Sequence, residues 1–198
     1  MKRRDFLKTG ALAAAATPVA MPAIAQSQPE VKWRLTSSFP KALDTIYGTA
    51  QQFAKYMSDA TDGKFQVQTF SAGEIVPGLQ ALDAVTSGTV ECAHTPTYLY
   101  IGKAPALGLG SGIPFGLNAR QQHSWWFFGG GEEIINSALA KFNAYSIPCG
   151  NSGCQMGGFF RKELKTLDDL KGLKFRIGGM GGAVLAKLRV VPTQIAGG

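Results

Sequence analysis

Between residues 31 and 95 the chain switches repeatedly between two hydrophobic periods, and this alternation constrains its fold more than any other feature. Val31 to Ser37 alternates apolar and polar side chains and carries Trp33 and Leu35, the pattern of a strand. From Pro40 to about Thr61 the apolar residues Ile46, Ala50, Phe53 and Met57 recur at helical spacing, and Gly63 ends the helix. Lys64 to Phe70 alternates again, with Phe65 and Val67 on one face. After Pro77, Leu79, Leu82 and Val85 return to helical spacing as far as about Ser87. Gly88 caps that helix, and Thr89 to Thr95 reads as a third strand. Strand–helix–strand–helix–strand is the signature of an α/β fold: a mainly parallel sheet with helices on both faces.

Beyond this unit the signals loosen. Residues 96–117 are rich in glycine and proline and read as a long loop. Asn118 to Phe128 is expected to be helical, Gly129-Gly130-Gly131 breaks it, and Glu132 to Phe142 is a further helix. Trp125-Trp126-Phe127-Phe128 fits helix core better than a ligand box. Asn143 to Cys149 and Gln155 to Arg161 read as strands on either side of Gly150-Asn151-Ser152-Gly153. Thr166-Leu167-Asp168-Asp169 opens a short helical turn with a weakened capping box. Leu173 to Gly178 is expected to be a strand, Gly179-Met180-Gly181-Gly182 a turn, and Ala183 to Leu188 the start of a helix. Val190 to Gly198 reads as one more strand and a turn. The expected division is a leader over 1–25, a first α/β lobe over 26–150 containing the 96–117 loop, and over 151–198 the start of a second lobe that is incomplete.

The leader has a charged opening, Lys2-Arg3-Arg4-Asp5-Phe6-Leu7-Lys8, then modest apolar stretches, then a small-x-small cleavage site at Ala23-Ile24-Ala25. Its apolar run is too short to anchor in a bilayer, which marks a signal peptide. The paired arginines resemble the twin-arginine export type, so the mature chain is expected in the periplasm. The leader carries four basic residues and one acidic residue, a net +3, so the rest of the chain holds +4 of the total +7. That mild charge comes without a Lys/Arg stripe interleaved with aromatics, and no nucleic-acid footprint is visible. Of the three cysteines, Cys149 and Cys154 could pair across a turn, or all three, with Cys92, could be buried thiols. Their spacing is neither a redox CxxC nor a zinc motif.

Few residues carry chemistry. Gly178-Gly179-Met180-Gly181-Gly182-Ala183 lacks the Lys-Ser/Thr of a phosphate loop, and Val184 stands where a dinucleotide fingerprint needs its third glycine. His94 and His123 are the only histidines; Cys92 and His94 share a strand face that a metal could use, but no further ligands accompany them. No nucleophile elbow, HExxH or paired carboxylates are present. Arg176 is different. Phe175 and Ile177 share one strand face, which turns Arg176 away from it near the carboxyl end, where open α/β sheets bind ligands. A guanidinium beside the next helix N-terminus is suited to an anion, a carboxylate above all. Tyr98 and Tyr100 follow the third strand and could either bond a small polar ligand or simply pack. Gln155 offers a hard oxygen for a cation, and Asn151 is by default a turn residue.

Two strings give the chain a family likeness. Asn151-Ser152-Gly153-Cys154-Gln155-Met156-Gly157-Gly158-Phe159-Phe160-Arg161 and Leu167-Asp168-Asp169-Leu170-Lys171-Gly172-Leu173-Lys174-Phe175-Arg176 resemble the periplasmic solute-binding proteins of tripartite ATP-independent (TRAP) transporters. The first string and the ending Val190-Val191-Pro192-Thr193-Gln194-Ile195-Ala196-Gly197-Gly198 resemble the subgroup that binds 2-oxo acids such as pyruvate, or hydroxy acids such as lactate. The resemblance implies two α/β lobes that close on a ligand, delivery of that ligand to TRAP permease subunits, and no catalysis. It implies that Arg176 pairs with the substrate carboxylate; Asn151, Tyr98 and Tyr100 stand as further candidate substrate contacts. It implies that Gln155 touches both substrate and a bound cation, Na+ or a divalent ion such as Ca2+, with no organic cofactor. The other cation ligands and the long dimerising helix belong to a later part of the family chain, so a homodimer is expected only of a full-length form. Other organic acids remain open as ligands. So does a truncated remnant that binds nothing. A twin-arginine redox enzyme would need haem, iron–sulfur or molybdenum ligand clusters, which three cysteines and two histidines do not supply.

Overall fold

The computed structural model describes residues 29–195; the expected leader and its cleavage site lie outside them, as do Ala196, Gly197 and Gly198. The first unit is the expected one. β1 (Val31–Ser37), α1 (Asp44–Ala60), β2 (Phe65–Phe70), α2 (Ala81–Thr86, entered through a 3-10 turn at Gly78–Gln80) and β3 (Cys92–His94) follow in order. The three strands are parallel in the order β2-β1-β3, with β1 central. Right-handed crossovers that step first to one side of β1 and then to the other must put α1 and α2 on opposite faces.

The expected third strand shortens to three residues, and a side chain continues its ladder. The Glu91 carboxylate accepts the Arg34 backbone N–H at 2.7 Å and grips the Arg34 guanidinium at 3.1 and 2.8 Å. These bonds, the guanidinium's first and the backbone N–H's second, hold the Glu91 carboxyl at about 2, well below its ordinary value.

The main core lies on the α2 face. Leu82, Tyr100, Leu107, Trp126, Ile135 and Leu139 form one buried cluster. Tyr100 and Leu107 come from the stretch expected to be loop, which instead winds into two 3-10 helices, Thr97–Tyr100 and Pro105–Gly110. Burying two large side chains fixes this segment as core in spite of its glycine content. α3 (Ala119–Phe128) starts at a capping box in which Asn118 and Gln121 exchange hydrogen bonds of 3.0 Å. Of its aromatic run only Trp126 is buried; Phe127 and Phe128 point to solvent. α4 (Gly131–Leu139) follows, extended by a 3-10 turn at Ala140–Phe142.

Two expected strands do not form. Asn143 is left-handed, residues 144–149 then run on without helix or turn and alternate in exposure, and residues 155–161 are largely exposed, but neither segment belongs to a sheet. A strand needs a neighbour for its N–H and C=O groups, and among the described residues no strand lies beside either segment. A second sheet does form further on. β4 (Lys174–Arg176) pairs in parallel with β5 (Val191–Thr193), joined by α5 (Gly179–Lys187). The glycines expected to make a turn are the first turn of α5 itself. The 3-10 turn at Leu167–Leu170 precedes this unit, and the Asp169 carboxylate accepts the N–H groups of Thr166 at 2.9 Å and Lys165 at 3.1 Å.

The folded Glu91 carboxyl titrates below its unfolded value, so the Arg34–Glu91 clamp contributes fully above about pH 4.5 and its contribution is lost as pH falls through about 2. Calorimetry on Glu91→Gln should therefore show a lower Tm at neutral pH and a shallower loss of Tm on acidification through that window. An unchanged acid slope would remove the clamp from the stability of the β1–β3 edge.

Candidate functional site

The candidate site grows from the corner where β4 runs into α5. Arg176 is the last residue of β4 and faces Thr193 of β5 across the ladder, with Phe175 and Ile177 turned inward. Ile177 N–H still donates to the Thr193 carbonyl at 3.2 Å, and then the chain leaves the sheet. Gly178 caps α5 without any side-chain hydrogen bond, so the first N–H groups of the helix have no side-chain acceptor. The exposed Arg176 guanidinium donates from Nε at 3.1 Å and from Nη2 at 2.8 Å to one acceptor, the Ile195 carbonyl. Among the described residues no carboxylate forms an ion pair with it. A forked cation beside an uncapped helix N-terminus is a corner built for an anion.

Tyr98 reaches this corner from the first unit. A Cβ placed on Gly179 would lie 2.9 Å from Tyr98 Cδ2, and one on Gly112 would lie 3.1 Å from Cδ1, so the ring is held between two backbones. Gly179 also has φ +62°, a conformation that costs any L side chain. Its neighbours pack the same way: Met180 Cε lies against Gly108, and Pro114 against Gly181. Tyr98 therefore sits at the Arg176 corner, and Tyr100 does not. Tyr100 is 3% exposed, and its hydroxyl accepts the Leu82 N–H at 3.2 Å and bonds Thr95 Oγ1 at 2.7 Å. Of the two tyrosines singled out in the sequence, one packs on the corner and the other anchors the core beneath it.

Asn151 and Gln155 are exposed, and their hydrogen bonds are local. Asn151 Oδ1 accepts the Gly153 N–H at 2.7 Å, the Asx turn its sequence suggests, and Gln155 Nε2 donates to Ser152 Oγ at 3.1 Å. That bond uses the Gln155 amide nitrogen, not the carbonyl oxygen a hard cation would seek. Among the described residues no group of three or more His, Cys, Asp or Glu side chains could hold a metal.

Two further features escaped the sequence. The Gln194 side chain lies beside Gly178, its Cδ 3.3 Å from where a Cβ would stand. Its position just past β5 is the signal, because the carboxyl ends of paired parallel strands lie together. The second feature is a polar cluster at the carboxyl ends of β1 and β3. Ser38 Oγ donates to the Gly78 carbonyl at 2.6 Å and lies 2.6 Å from Thr95 Oγ1, whose hydroxyl it can accept, and Ser37 Oγ lies 3.3 Å from His94 Nδ1. Burial holds the His94 ring below its ordinary pKa, so it is neutral at neutral pH.

A parallel α/β scaffold with a guanidinium at a strand end offers a place where a small anion could sit. The chain belongs to the bacterial extracellular solute-binding protein family 7: the family model, DctP, matches residues 36–198. It is 48% identical over 204 aligned residues to the monocarboxylate 2-oxoacid-binding periplasmic protein of a Nostoc species, an alignment covering 100% of this chain and 56% of that one. Among solved structures, a TRAP transporter solute-binding protein from Bordetella bronchiseptica is 51% identical with a TM-score of 0.82, over 85% of this chain and 50% of that one. It was found as a dimer with co-purified calcium and picolinate. A TRAP periplasmic solute-binding protein from Pseudoalteromonas atlantica, with bound sodium and pyruvate, is 37% identical with a TM-score of 0.81, over 84% of this chain and 51% of that one. The chain thus spans about half the length of these relatives.

Two costs should meet at Gly179. Gly179→Ala is expected to lose about 2 kcal/mol or more in urea denaturation, from left-handed backbone strain plus the clash with Tyr98. In a Tyr98→Ala background the loss should shrink to the roughly 1 kcal/mol of the backbone term alone. Equal losses in both backgrounds would mean that the ring does not press on the helix start.

Proposed function

We propose that this chain is part of a periplasmic solute receptor that binds a small 2-oxo monocarboxylate of the pyruvate type together with a cation, Na+ or a divalent ion such as Ca2+, and delivers it to TRAP permease subunits. The observation that carries this reading is the Arg176 fork, unpaired with any described carboxylate, beside the uncapped start of α5. The printed ligands of the relatives support it: sodium with pyruvate in one, calcium with picolinate in another, and a 2-oxoacid in the name of a third. Each of those organic ligands presents a carboxylate next to a second donor atom, which suits simultaneous contact with a guanidinium and a cation.

In this reading Arg176 takes the carboxylate through two N–H groups, and the α5 N-terminus adds its dipole. Gln155 turns its carbonyl oxygen to the cation and its amide to the substrate, and Asn151 contributes a further polar contact. The cation supplies a positive charge that holds the carboxylate and the 2-oxo oxygen together. Tyr98 walls the corner, while Tyr100 serves it indirectly by fixing the 3-10 turn on which Tyr98 stands. Residues 26–150 form one lobe, residues 151–198 begin the other, and the leader exports the chain by the twin-arginine route. The role is binding and release, without catalysis.

A small monocarboxylate has little apolar surface, so affinity rests on paired charge and satisfied hydrogen bonds. Removing the partner of a desolvated carboxylate costs about 3–5 kcal/mol, roughly a hundredfold or more in Kd. Calorimetry with pyruvate in sodium or calcium buffer should show that loss in Arg176→Ala. Arg176→Lys should also weaken binding strongly, because an ammonium cannot make the planar two-point contact. Near-normal pyruvate affinity in Arg176→Ala would overturn the assignment, and preference for a hydroxy acid or dicarboxylate would move the substrate class.

A further inference from the structure

The three cysteines play no part in the corner described above, but the packing around α1 bears on two of them. Thr69 of β2, Leu35 of β1 and Cys92 of β3 stand in one row across the parallel sheet, so their side chains share a face. Tyr47 of α1 sets its hydroxyl 3.4 Å from Thr69 Oγ1, which identifies that face as the one α1 covers. Around α1, Tyr47 and Thr49 are about 200° apart, on opposite flanks of the stripe that contains buried Ala50. The Tyr47 flank looks toward β2, so the Thr49 flank looks toward β3. Against Thr49 lies Gly150, whose Cβ would stand 3.2 Å from the threonine side chain. The extended segment that ends at Cys149 and Gly150 therefore runs along the β3 side of α1, over the strand that carries Cys92.

We propose that Cys92 and Cys149 form a disulfide that fastens this extended segment to the first sheet. The electrostatics agree with the packing. Burial, then the charges of Glu91 and Cys149, push the Cys92 thiol up to about 11, and burial raises Cys149 as well. The Cys149 charge is the smallest of these influences on Cys92, and the packing around α1 carries the assignment. All three cysteines are thiols in the structure; Cys92 is half-buried, Cys149 keeps an exposed surface although its thiol is partly covered, and Cys154 is exposed in the turn beyond. The bond would supply what residues 143–149 lack, a covalent tie in place of a ladder. It spans 57 positions of sequence, against five for Cys149 to Cys154, and longer closed loops constrain the unfolded chain more.

The chemistry needs a disulfide oxidant, such as glutathione disulfide or a thiol–disulfide oxidase. The thiolate of Cys149 attacks the oxidant's sulfur and releases one glutathione thiolate. Cys92 then loses its proton and attacks the Cys149 sulfur, releasing the second glutathione. Two protein thiols are oxidised to one S–S bond while one glutathione disulfide is reduced to two glutathiones. Because both thiols are raised, few are ionised at neutral pH, and the reaction should accelerate as pH rises.

The test is to incubate the purified protein in a glutathione redox buffer, which makes the result independent of compartment and of the proposed ligand. Non-reducing peptide mapping should find the Cys92 peptide joined to the Cys149 peptide, with an intact mass lower by two hydrogens. The cross-link should persist in Cys154→Ser and vanish in Cys92→Ser and Cys149→Ser. A Cys149–Cys154 link in the wild-type protein, or no cross-link in a Cys154→Ser variant whose circular dichroism matches wild type, would overturn it.

Discussion

The two sheets of this chain share no strand, and the contact that relates them is a tyrosine ring pressed between two glycines. Tyr98 stands on a short 3-10 turn at the end of the first unit, and the first residue of α5 closes on it at Gly179. No other residue type fits there, because the position combines a left-handed backbone with a ring within van der Waals reach. The consequence reaches Arg176. Its strand, the cap at Gly178 and the helix start are one continuous piece of backbone, so fixing Gly179 fixes the direction in which the guanidinium points. The pairs Gly108–Met180 and Gly181–Pro114 extend the same contact and make it a surface rather than a pivot point.

Beneath Tyr98 lies a chain of hydrogen bonds that holds its turn in place. The Leu82 N–H donates to the Tyr100 hydroxyl, which bonds Thr95; Thr95 bonds Ser38, and Ser38 donates to the Gly78 carbonyl. Apart from Tyr100, which ends its 3-10 turn, each member lies at a carboxyl end of a strand or at the start of α2, where backbone groups leave their element and need new partners. Gly78 approaches so closely that a Cβ there would stand 2.8 Å from the Ser38 carbonyl oxygen. Among the described residues one buried group is left over: Thr36 Oγ1, near the carboxyl end of the central strand β1, has no partner. Its methyl suits the packed face of a central strand, so the unmet hydroxyl is a cost carried by the core itself.

The first unit was legible because its information is local. Period-two and period-3.6 stripes in residues 31–95 specify strands and helices whose partners are adjacent in sequence. Legibility fell where the deciding contact is distant. Residues 143–149 have strand composition and even alternate in exposure, but a ladder depends on a neighbour that local pattern does not encode. Residues 96–117 looked like loop because glycine and proline dominate, while Tyr100 and Leu107 turn the segment into core. The orientation of Arg176 was readable from alternation: it is exposed where Phe175 is half-buried. Gln155 was not; it is unremarkable on sequence alone and took its role from family likeness, and the hydrogen bonds of both Gln155 and Asn151 are those of an exposed turn. Gln194 could have been found only by pairing β5 with β4.

The present state of Arg176 bears on how such a corner would exchange ligands. Two of its five N–H donors converge on one neutral oxygen, the Ile195 carbonyl. A carboxylate offers two oxygens and a full charge, so it can satisfy the same fork with two separate, charge-assisted bonds, each about twice as strong as its neutral counterpart. Exchange of carbonyl for carboxylate is therefore favourable at the guanidinium, and the group released is the backbone just beyond β5. Lysine in the same place would show no such preference for a planar pair of oxygens, since its ammonium is a point charge. In the proposed site, preference for a carboxylate over a neutral acceptor would rest on its charge and on the geometry of the fork, which the glycine-bound Tyr98 and the β4–β5 ladder together keep in register.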